Sequence, residues 1–256
     1  MGLGPCPIVE INFMASSDHC FYVEQKSSFR LVIFVPTCEE CNDRLQVNEW
    51  LLIERYVQLY GLSLSVLTIG SIKWLSDPDL FCGRLNYSRL NRLYFEGTDL
   101  SNVTSLSVQK ALRYCSNLTV LWFCFCRNPS CLDQESLLTL VHCSKLSELR
   151  LVAVPSTNGT ILLALGRHLP MLKSISVERC HQIDNSAVQC WLESCIGSGQ
   201  SYQINVKHTK FEVESFENDN AILLRRCGIL QRHWTHNGWW YLSHENTTFH
   251  VLFSSG

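Results

Sequence analysis

The segment Leu118-Thr-Val-Leu121-Trp-Phe123 decides the fold, because its spacing, L-x-x-L-x-L, recurs along the chain. The segments 90–95 and 146–151 repeat it, and 64–69, 172–177 and 201–206 fit with substitutions. The first positions, 64, 90, 118, 146, 172 and 201, lie 26, 28, 28, 26 and 29 residues apart. An ordinary α/β protein would show widely scattered spacings, so this even period predicts stacked repeats.

The period matches that of leucine-rich repeats, in which a short strand is followed by a returning helix. Three intervening segments have apolar residues at helical spacing: 101–115, 133–141 and 184–192. The last of them opens with Asp184, a good N-cap residue. The sequence therefore predicts an α/β leucine-rich-repeat solenoid (horseshoe) with a parallel concave sheet and convex helices.

The two ends of the chain are less regular. Residues 1–63 are expected to form an N-terminal cap with strands over 8–13 and 30–35 and a helix over 46–60. Residues 64–230 carry the repeats, and Leu230 keeps their spacing. Residues 231–256 are expected to cover the last core layer, which a solenoid otherwise leaves open. This C-terminal cap is aromatic and contains Trp234, Trp239, Trp240 and Tyr241.

Composition and charge exclude several classes of protein. The 256 residues are 46% apolar and 17% charged, which is typical of a globular chain. Lys and Arg number 21 against 23 Asp and Glu, a formal net charge of −2, so no basic surplus favours nucleic acid as a partner. No apolar run approaches the roughly 20 residues of a membrane-spanning helix, so no membrane partner is expected.

Location is predicted from the N-terminus and the cysteines. The N-terminus has neither the basic nor the apolar region of a secretory signal. A cytoplasmic or nuclear location, with the 14 cysteines reduced, is therefore expected. A secreted protein remains the alternative, because five glycosylation sequons occur, at Asn86, Asn102, Asn117, Asn158 and Asn246.

Several cysteines occupy fixed places in the repeat. Cys115, Cys143 and Cys227 each precede a first-position leucine by three residues. Cys126 and Cys180 each follow one by eight residues, where other repeat classes have Asn. At that turn a small thiol can face inward and still make a weak hydrogen bond.

The segment from Leu172 to Val188, with Cys180, Ile183 and Asp184, closely resembles the cysteine-containing leucine-rich repeat, C-x-x-L-x-x-L-x-L-x-x-C-x-x-I-T-D-x-G/A-L. Asp184-Asn185 stands where that pattern has Thr-Asp. This repeat class is typical of F-box/LRR proteins, the substrate receptors of SCF-type ubiquitin ligases, and of the related mitotic-exit antagonists. The resemblance is strongest over residues 90–195. It implies a protein target on the repeats, with the Skp adaptor and cullin as further partners where an F-box is present.

The F-box itself is not found in the sequence. Such a segment tends to open with Leu-Pro and an acidic residue, whereas the helical pattern from Leu45 to Tyr56 lacks that opening. Three interpretations follow: a truncated receptor, a diverged F-box, or a protein that binds targets with no link to a ligase. The last could be a leucine-rich-repeat scaffold or an inhibitor-like protein, cytosolic or secreted. The ligase function therefore rests on family analogy.

Catalytic and metal motifs are sparse. Cys38-Glu-Glu-Cys41 is a lone C-x-x-C, and zinc would need two further ligands, which Cys6 and Cys20 could supply. The pair His233 and His236 could lie on one helical face, although packing in the aromatic cap explains it better. There is no Gly-rich phosphate loop and no G-x-S-x-G elbow. We expect no enzyme activity, no metal and no cofactor.

The concave face is the predicted binding site. In this architecture positions one, four and six of each repeat face the core, and positions three, five and seven face outward. Tyr94, Trp122 and Arg150, at the fifth positions of successive repeats, should be consecutive neighbours, and these residue types dominate binding hot spots. Alternatively, Arg150 stacks on Trp122 and binds nothing, or a terminal segment covers Trp122. The predicted partner-binding residues are Arg92, Tyr94, Glu96, Val120, Trp122, Cys124, Glu148, Arg150, Ser176, Glu178 and Asn205.

Overall fold

A computed structural model of the chain describes residues 87–195 and 201–210, Leu75, and strand residues 8–14, 20–26, 29–34, 64–70, 232–234, 239–244 and 247–252. The chain forms two compact units, Met1–Cys143 and Ser144–Gly256. Each unit contains parallel strands and helices, so the predicted α/β class is confirmed. The predicted helix over 46–60, the Cys38–Cys41 motif and Leu230 lie outside the described residues.

In the first unit the strands lie in the order β6-β5-β4-β3-β1-β2. All neighbours are parallel except β1 and β2, which are antiparallel. The strands predicted over 8–13 and 30–35 correspond to β1 and β3, whereas β2 was not expected. The bounds are β1 Ile8–Met14, β2 Cys20–Lys26, β3 Phe29–Phe34, β4 Leu64–Gly70, β5 Arg92–Glu96 and β6 Val120–Cys124.

Two helices of the first unit lie within the described residues. Helix α1 (Ser105–Tyr114) joins β5 to β6, and helix α2 (Gln134–Leu138) follows β6. Thr104 and Asp133 are their N-caps: the side chains accept the N–H groups of Ser107 and Ser136, respectively. Short 3-10 turns complete the connections, at Tyr87–Arg89, Pro129–Cys131 and Thr139–His142.

In the second unit the strands lie in the order β7-β8-β9-β12-β11-β10. The first four are parallel, and β11 and β10 continue the sheet in antiparallel fashion. Helix α3 follows β7 and helix α4 follows β8. The bounds are β7 Glu148–Val152, α3 Gly159–His168, β8 Ser174–Glu178, α4 Asn185–Cys195, β9 Ser201–Asn205, β10 Arg232–Trp234, β11 Trp239–His244 and β12 Thr247–Leu252.

The C-terminal strands continue the sheet of the second unit. The strand that pairs with β9 is β12, and Leu230, which keeps the repeat spacing in the sequence, lies outside the described residues. The aromatic residues assigned to the cap lie on strands, with Trp234 on β10 and Trp239, Trp240 and Tyr241 on β11. A β-hairpin and a parallel strand therefore extend the sheet beyond β9.

The predicted core positions are buried in both units. Leu118, Leu121 and Phe123 at positions one, four and six are 0%, 0% and 3% exposed. Phe95 and Phe123, at the same position on β5 and β6, stack with ring centroids 4.9 Å apart. Each such side chain contributes about 1.5–3 kcal/mol through burial. The other buried members are Leu90, Leu93, Phe95, Leu146, Leu149, Leu151, Leu172, Ile175, Val177, Ile204 and Val206.

A left-handed residue follows each of five strands, at the eighth position of the repeat. Only one of the five is glycine, and the others accept a conformation that costs an L-residue about 1–2 kcal/mol. Backbone hydrogen bonds offset this cost, since the Ala153 N–H donates to the Glu178 carbonyl at 2.8 Å and the Arg179 N–H to the Lys207 carbonyl at 2.9 Å. The five residues and their φ angles are Gly97 (62°), Phe125 (52°), Ala153 (59°), Arg179 (54°) and His208 (51°).

The inward cysteines bond backward to the preceding repeat. The Cys126 thiol donates to the Phe95 carbonyl at 3.9 Å, and the Cys180 thiol donates to the Leu151 carbonyl at 3.5 Å. Both acceptors are sixth-position residues of the repeat before. The prediction that Cys126 and Cys180 face inward and make weak hydrogen bonds is confirmed. Cys227 lies outside the described residues.

Candidate functional site

An aromatic pair lies on the outward side of the first unit's sheet. Parallel pairing of β5 with β6 places Tyr94 opposite Trp122. Their ring centroids are 4.8 Å apart with an interplanar angle of 76°, an edge-to-face contact. Both side chains are half-buried, while Arg92 and Glu96, on either side of Tyr94, are exposed. The pair thus offers a fixed aromatic surface between two charges of opposite sign.

Two predicted members of this face are not accessible. Val120 and Cys124 are 9% and 6% exposed, so neither can contribute substantially to a contact surface. Both flank Trp122 on the same strand, β6. Contact of positions three and seven of this strand with a partner stays a prediction.

A polar cluster centred on Glu178 lies on the strands of the second unit. Glu178 Oε1 accepts from Arg150 Nη2 at 3.1 Å, from the Ser176 hydroxyl at 2.9 Å and from Asn205 Nδ2 at 3.2 Å. These residues come from β7, β8 and β9, so parallel stacking brings them together. We call Arg150, Ser176, Glu178 and Asn205 the Glu178 cluster. Four predicted site residues are therefore assembled by the fold.

The Glu178 cluster is electrostatically balanced and partly shielded from water. The Arg150 and Glu178 side chains are 36% and 15% exposed. A carboxylate with three donors and a paired guanidinium loses little by burial, since both charges are compensated. The cluster therefore fixes the Arg150 guanidinium in one orientation. Glu148, the remaining predicted residue of this face, is half-buried and opposite Ser174.

The predicted run of Tyr94, Trp122 and Arg150 spans both compact units. Tyr94 and Trp122 belong to the first unit and are in contact, whereas Arg150 belongs to the second. The prediction that Arg150 follows Trp122 along one face stays a prediction. Within its own unit the Arg150 guanidinium is paired with Glu178.

Burial makes three of the described cysteines, Cys126, Cys143 and Cys195, poor nucleophiles. Burial raises the pKa of the Cys126 and Cys143 thiols from 9.0 to about 12, and that of Cys195 to about 11. Such thiols stay protonated at neutral pH, when the nucleophilic form is the thiolate. In residues 87–195 and the other described ranges, no three His, Cys, Asp or Glu side chains are placed to hold a metal ion. His233 lies on strand β10 and not on a helix.

Two sequon asparagines have structural partners. Asn117 Nδ2 donates a hydrogen bond to the Ser88 carbonyl. This nitrogen is the atom to which a glycan would be attached. The Asn158 side-chain oxygen accepts the Ile161 N–H at 3.1 Å and caps α3. Asn102 is exposed, and Asn86 and Asn246 lie outside the described residues.

Comparisons with known protein families and curated proteins give no match from which a function could be assigned. No protein-family model matches the chain, and no curated protein matches it significantly. Among the helices that the structure describes, none combines the length and the apolar character needed to cross a bilayer. The functional argument therefore rests on the aromatic pair and the Glu178 cluster.

Some of these features could not be predicted from the sequence. Arg150 and Glu178 are 28 residues apart, one repeat period, and this spacing was the available signal for their pairing. The left-handed turn carried no comparable signal, because four of its five positions are not glycine.

Proposed function

We propose that the chain is a leucine-rich-repeat solenoid (horseshoe) whose concave face binds a protein or peptide target. The solenoid is supported by one recurring unit: buried positions one, four and six, a left-handed eighth position, and a connection back to the next strand. Backbone bonds tie successive repeats at the same place, as in Thr119 N–H to the Asn91 carbonyl at 2.7 Å and Lys173 N–H to the Ser147 carbonyl at 2.9 Å. Stacking of this kind is typical of repeat proteins, in which helices cover the convex side.

The Tyr94–Trp122 pair is the observation that carries the binding proposal. Aromatic side chains bring a large apolar area at low entropic cost and dominate the energetics of protein interfaces. Their mutual contact at 4.8 Å holds both rings in place before a partner arrives. Arg92 and Glu96 are exposed beside them and could form the polar rim of such an interface. This mixture suits a peptide or protein better than nucleic acid.

Within this class we propose the substrate-recognition repeats of an SCF-type ubiquitin ligase receptor. The support is the cysteine pattern, since the Cys126 and Cys180 thiols occupy the turn at which the resembling repeat has its cysteine. Skp adaptor and cullin would then be partners in the cytoplasm or nucleus. They would bind either a diverged F-box within this chain or an F-box that this sequence lacks because the receptor is truncated. The alternative is a scaffold or inhibitor-like protein with no ligase link, cytosolic or secreted.

The first experiment tests the concave face. The full chain and its Trp122→Ala variant are used to capture proteins from a reducing cell lysate, and the bound proteins are quantified by mass spectrometry. Tyr114→Ala is the matched control, because Tyr114 is 61% exposed on helix α1 and not on the sheet. Loss of a hot-spot aromatic costs about 2 kcal/mol or more, roughly thirtyfold in affinity. We expect Trp122→Ala to lose the partner and Tyr114→Ala to keep it.

The same capture distinguishes the two candidate functions. Recovery of the Skp adaptor and cullin by the wild-type chain and by both variants supports the receptor. A partner that depends on Trp122, without Skp adaptor or cullin, supports the scaffold. If Trp122→Ala and Tyr114→Ala lose the captured partner equally, binding through this face is contradicted. A large fall in the stability of Trp122→Ala would contradict it as well.

A further inference from the structure

Two opposite charges lie on either side of the aromatic pair, at the two ends of strand β5. Arg92, Tyr94 and Glu96 are alternate residues of this strand. They share its outward side, because Leu93 and Phe95 between them are buried. Arg92 and Glu96 are exposed, and their Cα atoms are about 13 Å apart, four strand residues at about 3.3 Å each. The strand therefore presents a cation, an aromatic ring and an anion in one line.

The neighbouring strands provide no charge opposite either Arg92 or Glu96. Among the residues that the structure describes, none forms an ion pair or a side-chain hydrogen bond with these two side chains. Arg150 and Glu178 in the second unit differ, since they are paired with each other. A complementary charge brought by a partner would thus form a new ion pair without breaking an existing one. Parallel pairing places four uncharged residues beside the two charges: Val66, Gly70, Val120 and Cys124.

The aromatic pair determines what fits between the two charges. Tyr94 and Trp122 are half-buried, and their edge-to-face contact at 4.8 Å holds both rings in place. An apolar side chain that packs against the exposed parts of both rings removes its own surface and theirs from water. A charged side chain at the same place would lose hydration without gaining a partner. The middle position therefore selects an apolar residue.

We propose that the target of the concave face contains an extended segment in which an apolar residue has an acidic residue two positions to one side and a basic residue two positions to the other. This inference rests on the proposed function and specifies its target. An extended chain repeats its side chains on one face every two residues, as β5 does, so the acid, the apolar residue and the base can lie over Arg92, the aromatic pair and Glu96.

Other charge patterns and conformations fit this surface less well. A segment with only acids or only bases would place a like charge against Glu96 or Arg92, which is unfavourable. In a helical segment, residues two positions apart do not lie on the same face, so the three side chains could not reach β5 together. Either chain direction of an extended segment satisfies the pairing, and the test therefore uses both.

Ligand-observed NMR titration of the full chain tests this target with defined peptides. The probes are nonapeptides of Ser and Gly with blocked termini and a central Phe. One has Glu two residues before Phe and Lys two residues after it, and a second exchanges Glu and Lys. The matched control has the same composition, with Glu and Lys adjacent on one side of Phe. We expect the better of the two probes to bind about threefold or more tightly than the control, since two exposed ion pairs each contribute modestly.

Charge reversal on β5 should change which peptide is preferred. Arg92→Glu leaves two acids, so we expect it to prefer the peptide with Lys at both charged positions by about threefold. Glu96→Arg should likewise prefer the peptide with Glu at both. The double variant Arg92→Glu/Glu96→Arg restores opposite charges and should again prefer one Glu and one Lys, which separates charge pairing from damage to the fold. Lys110→Glu, at an exposed position on α1, is the matched control and should keep the wild-type preference.

The results that would overturn this target differ from those that would overturn the proposed function. Equal binding of the control peptide, or unchanged preferences in Arg92→Glu and Glu96→Arg, would contradict the charged segment. Peptide binding that Trp122→Ala leaves unchanged would show that the peptides do not use the concave face, and would also contradict it. If no peptide binds while a captured protein still depends on Trp122, the proposed function stands and only this target is wrong. If neither is observed, both proposals fail.

Discussion

The ninth position of two repeats is a buried cysteine where other repeat classes have Asn. Cys180 is 0% exposed, and its sulfur lies 3.5 Å from the Leu151 oxygen and 3.4 Å from the Glu178 oxygen. A thiol donates only weakly, but an apolar replacement would remove this donor from the Leu151 carbonyl, whereas the Glu178 carbonyl would keep the Ala153 N–H. Cys126 occupies the equivalent turn in the first unit, where Phe95 and Cys124 supply the acceptors. These cysteines are structural.

The substitution Cys180→Ala tests this role at the scale of one residue. It removes the sulfur from a buried position and takes the thiol donor from the Leu151 carbonyl, so we expect a loss of about 1–2 kcal/mol in the free energy of unfolding. Urea denaturation provides the measurement. Cys190→Ala is the matched control, since Cys190 is half-buried on α4 and should change stability by less than about 0.5 kcal/mol. If Cys180→Ala and Cys190→Ala lower the free energy of unfolding by similar amounts, the stabilising role of the Cys180 thiol is contradicted.

At the scale of the element, helix α4 depends on the carboxylate that precedes it. The Ala187 N–H and the Ser186 hydroxyl donate to Asp184, and they hold the pKa of its carboxyl below the ordinary value of 3.8, against a smaller effect of burial. A carboxyl whose folded pKa is lowered contributes stability above the unfolded pKa. That contribution is lost as pH falls through the folded pKa.

Asp184→Ala should lower the free energy of unfolding by about 1 kcal/mol at neutral pH, because α4 loses its cap. Asp184→Asn keeps a good capping side chain and removes the titrating group. We therefore expect Asp184→Asn to match the wild type near neutral pH and to lose less stability below about pH 4. Urea titrations at both pH values provide the measurement. If the free energy of unfolding changes with pH in the same way for the wild type and for Asp184→Asn, the stabilising role of the Asp184 carboxylate is contradicted.

Helices α3 and α4 approach each other closely at Gly166. A Cβ on Gly166 would lie 2.9 Å from the Ser194 Cβ, and the Ser194 hydroxyl is held by donation to the Trp191 carbonyl at 2.6 Å. Gly166 is needed here for space, since it permits the helices to touch.

Gly166→Ala should therefore destabilise the second unit by about 1–3 kcal/mol, although alanine favours helices more than glycine does. The double variant Gly166→Ala/Ser194→Gly should recover part of this loss, because the obstructing side chain is gone. A double-mutant cycle by thermal or urea unfolding measures the coupling, which we expect to be about 1–2 kcal/mol. Additive effects of the two changes would show that the contact is not tight.

Across the whole molecule, the predictable features are those governed by local periodicity. Leu118, Leu121 and Phe123 could be assigned to the core because strand geometry fixes which side chains share a face. Cys126 and Cys180 could be placed because they recur in register with those leucines. The same reasoning located β1 and β3, but not the antiparallel strand β2, which follows no repeat.

The features that could not be predicted depend on contacts between repeats. Val120 and Cys124 are buried although their positions in the repeat were expected to face outward, and periodicity alone does not indicate this burial. The pairing of β12 with β9 follows no repeat spacing and could not be predicted from the sequence. Glu178 joins three strands, and its hydrogen bonds follow from side-chain geometry that a sequence does not display.

Stacked repeats also predict how damage spreads through the molecule. In the proposed solenoid each repeat contacts only its neighbours, so a core defect should weaken nearby repeats most. Ile175→Ala, at a position 0% exposed, should cost about 2–5 kcal/mol. Amide hydrogen exchange should then rise most in β7, β8 and β9 and least in β5. In Leu93→Ala, amide exchange should rise most near β5 and least in β7, β8 and β9. If exchange rises equally in all these strands in both variants, the molecule unfolds as one cooperative unit and the expectation is wrong.

The direction of the thiol bonds bears on how the protein is made. The Cys126, Cys143 and Cys180 thiols donate to carbonyls 31, 31 and 29 residues earlier in the chain. On a ribosome each acceptor therefore emerges before its donor, and water can satisfy the acceptor until the thiol arrives. The segment that carries each of these thiols can therefore dock on a segment already present in its own unit, so these three contacts can form in the order of translation.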